Sequence, residues 1–331
     1  RSIDLVTFNN DKRNKFNKKI QIINPYLNFL FFSKRFPKYV LCLFTLICKL
    51  VVNRNCVIFS FQANIYVIIL AKFFGVKVIS RSNSSSAGWS KNIFKQFIFS
   101  FFFKKANKIL VNSFDFKREM DKKYDLETEC ILNPFEFKNI KKQSLEKCKK
   151  IYSKKKILKL IAVGRLTYQK DFMTLLRAMN ALKEKRDFEL VIIGKGIDQK
   201  LLEEYIFKNK LNNNIKLIGY QKNPFKFIRQ ADIFLLTSIF EGSPNVLVEA
   251  LYLKKYIIST DCPTGPREIL KNGEYGSLVK IKNFKEIVKL LKNFKKNQKT
   301  KKKIENGFNS LKRFEHKVNC EKYLRLIQNH I

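Results

Sequence analysis

The stretch LKLIAVGRLTYQKDFMTLLRAMNALKEKRDFELVII, residues 158–193, runs from an apolar hexapeptide through a glycine turn into an amphipathic segment and back to a second apolar hexapeptide. Residues 158–163 and 188–193 are short and rich in Leu, Ile and Val, as strands buried on both faces are. Between them Phe172, Leu175, Leu176, Met179 and Leu182 recur at helical spacing, which predicts a helix over 171–184. A strand, a helix and a further strand in this order form a parallel crossover unit.

The same alternation extends outward. Downstream the pattern predicts strands 215–218, 232–236, 256–259 and 277–279 and helices 198–208, 224–230, 244–253 and 266–271. Upstream it predicts strands 3–8, 19–23, 56–61, 77–80, 106–112 and 129–132 and helices 38–52, 64–74, 92–104 and 114–123, with Ser113 placed to cap the last. A Lys-dominated stretch, 137–156, lies between the two halves and reads as the linker region. The fold class is therefore α/β, with two Rossmann-like domains built on doubly wound parallel sheets.

Composition narrows the function. The 331 residues are 45% hydrophobic, enough for two cores, and carry a formal net charge of +40. Lysines spread along the whole chain beside many Asn, Ile and Phe, a bias that compositional drift produces by itself. No zinc-finger spacing or RNA-binding aromatic signature accompanies them, so no specific nucleic-acid partner is expected, while attraction to an anionic membrane surface stays open. Seven cysteines, an odd set without a CxxC pair, read as buried free thiols. The two histidines, His316 and His330, lie near the C-terminus, which rules out a His-based dyad or multi-His metal site in the body of either domain. The apolar run Tyr39 to Val52 falls short of the roughly 20 residues a membrane-spanning helix needs and is expected to be a buried helix.

Nine of the eleven glycines follow residue 163, and Gly164, Gly194, Gly219 and Gly242 stand at or just beyond strand ends, the edge where open α/β sheets bind ligands. One of these loops, EGSPNVLVEAL at 241–251, enters a helix. Free N–H groups and the positive end of the helix dipole make such an entry a seat for phosphate, and Pro244 suits the first helical position because its missing N–H costs nothing there. Glu241 in the loop and Glu249 in the helix place a carboxylate on either side, one for sugar hydroxyls and one for a ribose hydroxyl pair. Arg165, in the loop after strand 158–163, and Lys170, at the start of the next helix, can converge on one diphosphate. Taken alone, each such pair is also what a solvated surface looks like.

EGSPNVLVEAL resembles the E-x7-E element of retaining glycosyltransferase family 4, which has the two-domain glycosyltransferase-B fold. VGRLTYQKD (163–171) is similar to that family's Gly-Arg…Lys element, and LVIIGKG (190–196), IKLIGY (215–220), ADIFLLTS (231–238), STDCPTGPREIL (259–270) and Asn133-Pro134 follow in the family's order. The resemblance covers residues 56 to 314. The DCPTGPREIL form and the stretch SFQANIYVIILAKFFGVKVISRSN resemble a subset that builds cell-surface polysaccharides, lipopolysaccharides or lipid-linked oligosaccharides.

The resemblance implies a nucleotide-sugar donor and a lipid-linked or saccharide acceptor, with transfer of a hexose or N-acetylhexosamine. It implies Arg165, Lys170 and Glu241 as catalytic groups, and Gly164, Gly194, Gly219, Tyr220, Gly242, Ser243, Pro244, Asn245, Val246 and Glu249 with them as donor-binding. No cofactor and no metal are expected. It further implies an acceptor-side domain over 1–140, a linker at 141–156, a donor domain over 157–300 and a helical segment 301–331 returning to the first domain. Arg81, Asn83 and Trp89 are expected on the acceptor side, although Trp89 is equally suited to anchoring the helix after it. Phe94 to Phe103, with Lys91, Lys95, Lys104 and Lys105 around it, suits either a membrane interface or a core. The expected location is cytoplasmic, peripheral on the inner face of the cytoplasmic membrane. The family's functional histidine in the first domain is missing here. Its opening strand and Gly-rich loop also have no counterpart ahead of Arg1, so the chain is expected to be N-terminally incomplete. Two rival readings are a nucleotide-sugar epimerase of the same fold and an inactive nucleotide-binding relative.

Overall fold

The computed structural model describes residues 3–6, 20–23, 35–83, 93–153 and 157–330. The chain runs β1 (Ile3–Val6), β2 (Ile20–Ile23), α1 (Arg35–Val52), β3 (Val57–Ser60), α2 (Asn64–Phe73), β4 (Lys77–Arg81), α3 (Ile93–Phe103), β5 (Lys108–Val111), α4 (Phe114–Tyr124), β6 (Thr128–Cys130) and α5 (Phe137–Ser144). It continues through β7 (Leu158–Val163), α6 (Phe172–Leu182), β8 (Phe188–Ile193), α7 (Gln199–Lys208), β9 (Ile215–Leu217), α8 (Phe225–Ile228) and β10 (Ile233–Leu236). Then come α9 (Asn245–Tyr252), β11 (Tyr256–Thr260), α10 (Pro266–Ile269), β12 (Ser277–Val279), α11 (Phe284–Asn293), α12 (Gln298–Asn309) and α13 (His316–Gln328).

The second half forms one six-stranded sheet in the order β12-β11-β10-β7-β8-β9, every neighbouring pair parallel. Counted within this half the order is that of a doubly wound dinucleotide-binding fold, reversing direction between β7 and β10. Side chains alternate across it. Leu158, Leu160 and Ala162 enter one core with residues of α6, α7 and α11, whereas Ile161 enters the opposite core with residues of α8, α9 and α10. Both faces are covered, which is why the strands are apolar throughout.

The first half has a four-stranded parallel sheet, β3-β4-β5-β6, and a separate parallel pair, β1-β2. Val78, Ile109 and Val111 pack beneath α2, α3 and α4. Ile79, Leu110 and Ile131 on the other face meet Leu326, Tyr323 and Ile327 of α13, so the last helix crosses back to the first sheet. Ser113 caps α4, accepting a hydrogen bond from the Phe116 N–H.

Three sequence expectations need correction. The helix containing Tyr39 to Val52 is not buried: only Leu50 on its described face is buried, while Phe44, Val51 and Val52 are exposed. Of the seven cysteines, all free, only Cys262 is buried; Cys48 and Cys56 are exposed. The break between the two cores also falls before residue 140. Leu132, Phe135, Ile140 and Tyr152 all pack into the second half, and the Phe137 ring stacks on Tyr252 at 4.7 Å. The first eight residues of the Lys-rich region are therefore the helix α5, its lysines facing water while Ile140 and Phe137 dock inward.

Candidate functional site

At the carboxyl end of β7 the chain continues through Gly164 and Arg165 into a 3-10 turn, Tyr168–Lys170. At the carboxyl end of β10 it continues through Thr237 and Ser238. Three hydrogen bonds stitch these loops together: Thr237 Oγ1 donates to Lys170 O at 2.9 Å, Ile239 N–H to Gln169 O at 2.8 Å, and Gln169 Nε2 to Phe240 O at 3.0 Å. The stitching brings Lys170 Nζ within 2.5 Å of Glu241 Oε1. Ser238 Oγ donates to the same carboxylate oxygen at 2.6 Å, and among the described residues no donor reaches Oε2. Glu241 is 7% exposed, so this ion pair is buried at the point where the sheet order reverses.

The loop 262–266 supports the pair from below. Thr264 Oγ1 donates to the Glu241 carbonyl at 2.7 Å. Gly265, at φ +87°, lets that loop approach so closely that an added Cβ would stand 2.6 Å from Gly242 O and 2.7 Å from Pro244 Cδ. Pro244 itself is the cap residue, with extended backbone (φ −70°, ψ 101°), and Asn245 is the first helical residue, one position later than expected. No side chain caps α9. The Leu247 N–H donates to Pro244 O at 3.0 Å, and among the described residues the N–H groups of Asn245 and Val246, which precede it, have no partner.

Glu249 lies in the second turn of α9, half-buried and without an ion pair among the described residues. Burial pushes its carboxyl up to about 7. Along the same edge Gly194, at φ +153°, presses against the next loop: a Cβ there would fall 1.8 Å from Gly164 O. Its N–H donates to Gly219 O at 2.9 Å. Tyr220 beyond is 67% exposed, with Lys195 Nζ 5.9 Å from its ring centroid. Arg165 is exposed, its Nη2 3.2 Å from Gln169 Oε1.

Gly164, Arg165, Lys170, Gly194, Gly219, Tyr220, Glu241, Gly242, Ser243, Pro244, Asn245, Val246 and Glu249 thus all lie on the carboxyl edge of one sheet. The expected acceptor-side residues fare differently. Arg81 is 9% exposed, its guanidinium held by Asn133 Oδ1 at 2.5 Å and by the rings of Phe61 and Tyr323. Asn83 is exposed and accepts at its carbonyl from Asn112 Nδ2 at 3.4 Å. Trp89 lies outside the described residues. Sequence reasoning missed Gln169, Ser238, Thr264 and Gly265. For the last two a signal existed, a glycine between prolines in Pro263-Thr264-Gly265-Pro266.

Two contacts join the halves beside this edge. Asn133 Nδ2 donates to Asn245 Oδ1 at 2.6 Å. Glu268 of α10 accepts the Asp115 N–H at the start of α4 at 3.0 Å, and burial raises the pKa of its carboxyl.

Two parallel α/β domains joined beside a ligand edge of this kind define a glycosyltransferase-B fold. Anabaena HepE, solved in complex with UDP and glucose, superposes with a TM-score of 0.77 over 98% of this chain and 91% of that one, at 14% identity. At that identity the likeness speaks for the fold alone. The family profile described as Glycosyl transferases group 1 matches residues 143–309, half of the chain, and the chain belongs to that family. An uncharacterized glycosyltransferase of Methanocaldococcus jannaschii is 34% identical over 218 residues, covering 62% of this chain and 54% of its own length. The Campylobacter jejuni N-acetylgalactosamine-N,N'-diacetylbacillosaminyl-diphospho-undecaprenol 4-alpha-N-acetylgalactosaminyltransferase is 32% identical over 228 residues, covering 66% of this chain and 60% of its own length. The chain therefore spans little more than half the length of these relatives.

Proposed function

We propose that the protein is a retaining, family 4 glycosyltransferase that moves a hexose or N-acetylhexosamine from a nucleoside-diphosphate sugar to a lipid-linked saccharide or polysaccharide precursor. The observation that carries this reading is the buried Lys170–Glu241 pair set beside the uncapped start of α9. The name of the Campylobacter relative, which acts on a diphospho-undecaprenol-linked saccharide, supports the acceptor class.

In this reading the diphosphate lies on the first turn of α9, where the helix dipole and the free N–H groups of Asn245 and Val246 favour negative charge. Lys170 and Arg165 add cationic donors as the bond from the anomeric carbon to the phosphate oxygen breaks. Glu241 Oε2, free of protein donors among the described residues, accepts from sugar hydroxyls and orients the ring. Glu249 accepts the ribose hydroxyl pair, and the exposed Tyr220 ring offers a face to the base. The acceptor oxygen forms its bond to the anomeric carbon on the face from which the diphosphate leaves, and its proton passes to the departing phosphate oxygen. Charge on the diphosphate is met by side chains and helix rather than by a metal ion.

We further propose that the first domain rests on an anionic membrane surface in the cytoplasm. No helix among the described residues is long and apolar enough to cross a membrane. However, α1, α2 and α3 lie side by side and expose Phe44, Tyr66, Phe73 and Phe97, with Phe73 82% exposed. Lys72 adjoins this face, and Lys105 Nζ stands 4.5 Å from the Phe101 ring centroid. Aromatic faces edged by lysine suit the headgroup region of anionic lipid. A screen of UDP-, GDP- and ADP-sugars for release of the nucleoside diphosphate tests the activity. An anomeric configuration in the product opposite to that of the donor would sink the retaining assignment.

A further inference from the structure

The contacts at the domain junction have a chemical direction. Arg81, at the end of β4, can only donate, so the Asn133 atom that meets its Nη2 at 2.5 Å must be the carboxamide oxygen. The Asn133 nitrogen is then the atom facing Asn245, and since it too can only donate, the Asn245 atom 2.6 Å away must also be oxygen. What remains at the end of the relay is the Asn245 NH2 group, two N–H donors without a partner among the described residues, at the first residue of α9.

We infer that Arg81, Asn133 and Asn245 form a directional hydrogen-bond relay across the domain junction that fixes the Asn245 carboxamide as an N–H donor to the diphosphate of the bound donor. Asn245 is the contact residue, and Arg81 and Asn133 are positioning residues acting through it. The inference rests on the donor-site reading above and adds to it a role for the first domain.

The surroundings of Arg81 match this role. Arg81 is 9% exposed, and its guanidinium has no carboxylate partner among the described residues and leaves a buried Nε without a hydrogen bond. Desolvation lowers its pKa. The aromatic rings of Phe61, from the loop after β3, and Tyr323, from α13, hold its plane at 5.9 and 5.5 Å from their centroids. A residue that merely stapled two domains would be better served by an acid partner, because burying an unpaired cation is costly. An uncompensated cation whose amide chain ends at an anion seat instead polarises every bond in the chain toward that seat. The relay also ties the donor seat to α13, so donor contact and interdomain geometry are set together.

Asn133→Asp separates this account from a plain staple. The introduced carboxylate keeps a bond to Arg81 and gains an ion pair, but offers only acceptors, so Asn245 must turn its nitrogen inward and its oxygen toward the diphosphate. Calorimetric titration with UDP, GDP and ADP, at constant ionic strength, is the measurement. The relay predicts about a tenfold loss of nucleotide affinity in N133D and a similar loss in Asn245→Ala, with melting temperatures near wild type. In the N133D/N245A double variant the loss stays that of N245A alone, because the relay then has no terminus. Additive losses would mean that the new negative charge acts directly on the ligand, and wild-type affinity in N133D would mean a staple; either result overturns the relay. Should N133D fail to fold, N245A decides alone, unchanged affinity overturning it. Wild-type protein that binds none of UDP, GDP and ADP removes the donor-site reading itself, and the relay with it.

Discussion

The two halves of this chain use the same strand–helix alternation to different ends. The second half covers both faces of six parallel strands, and its carboxyl edge carries a buried ion pair and an uncapped helix. The first half covers its four-stranded sheet with helices that expose aromatic side chains, and it borrows α13 from the far end of the chain to close the other face. A closed core holds a site rigid. An open apolar face suits a large surface partner, and under the proposed function the contrast divides donor binding from membrane contact.

The largest effect is expected where the second half is most closed. Lys170→Ala leaves Glu241 buried without its cation, which should cost about 3 kcal/mol of stability and lower donor turnover by about a hundredfold or more. Denaturant melts and release of nucleoside diphosphate measure the two, and a variant with wild-type turnover would break the assignment of the seat. Gly194→Ala forces a Cβ to 1.8 Å from Gly164 O, so the loops after β7 and β8 must separate; about 2–3 kcal/mol of destabilisation is expected, with weakened nucleotide binding.

A smaller, pH-dependent effect belongs to Glu249. Its carboxyl is pushed up to about 7 by burial, above the value of about 4.3 for an exposed glutamate. The folded state therefore gains from its protonated form: that contribution is complete below about 4.3 and is lost as pH rises toward 7. Glu249→Gln should flatten this part of the stability profile. Ribose hydroxyls donate to the charged form, so UDP affinity of the wild type should climb as pH approaches 7 and binding near pH 6 should release protons. Calorimetry in two buffers of different ionisation enthalpy reads that release, and proton uptake would contradict the ribose role.

The smallest effect on folding is expected from the first half's open face. Phe73→Ser and Phe97→Ser should change stability by less than about 1 kcal/mol, since both rings already face water. Sedimentation with phosphatidylglycerol vesicles at low salt should nonetheless fall for the double variant. Unchanged vesicle binding would assign the face to something other than lipid.

The second half is the more legible from sequence because its signals are local. An apolar hexapeptide ending in glycine announces a strand and its open edge within a few residues, and Arg165, Lys170, Glu241 and Glu249 all follow from such edges. The helix α11, absent from the expected elements, carries an equally plain pattern, Phe284, Ile287, Val288 and Leu291 recurring at helical spacing. What the local pattern hides depends on distant partners. Ser238 and Thr264 matter because each donates to Glu241, and Asn133 because it meets Asn245 from 112 positions away. The burial expected for α1 failed for a related reason: an apolar run reports affinity for an apolar surface, and one side of α1 finds none within the described residues. The Lys-rich stretch 137–156 hid α5, whose few apolar residues are decisive only once Tyr252 and α8 are beside them.

The central claim is that the carboxyl edge between β7 and β10 seats a nucleotide-sugar donor. Its most direct test is thermal denaturation of the wild-type chain with millimolar UDP, GDP or ADP, repeated on Glu249→Gln. One nucleotide is predicted to raise the melting temperature by several degrees in the wild type and by much less in the variant. No shift with any of the three, or the same shift in both proteins, would contradict it.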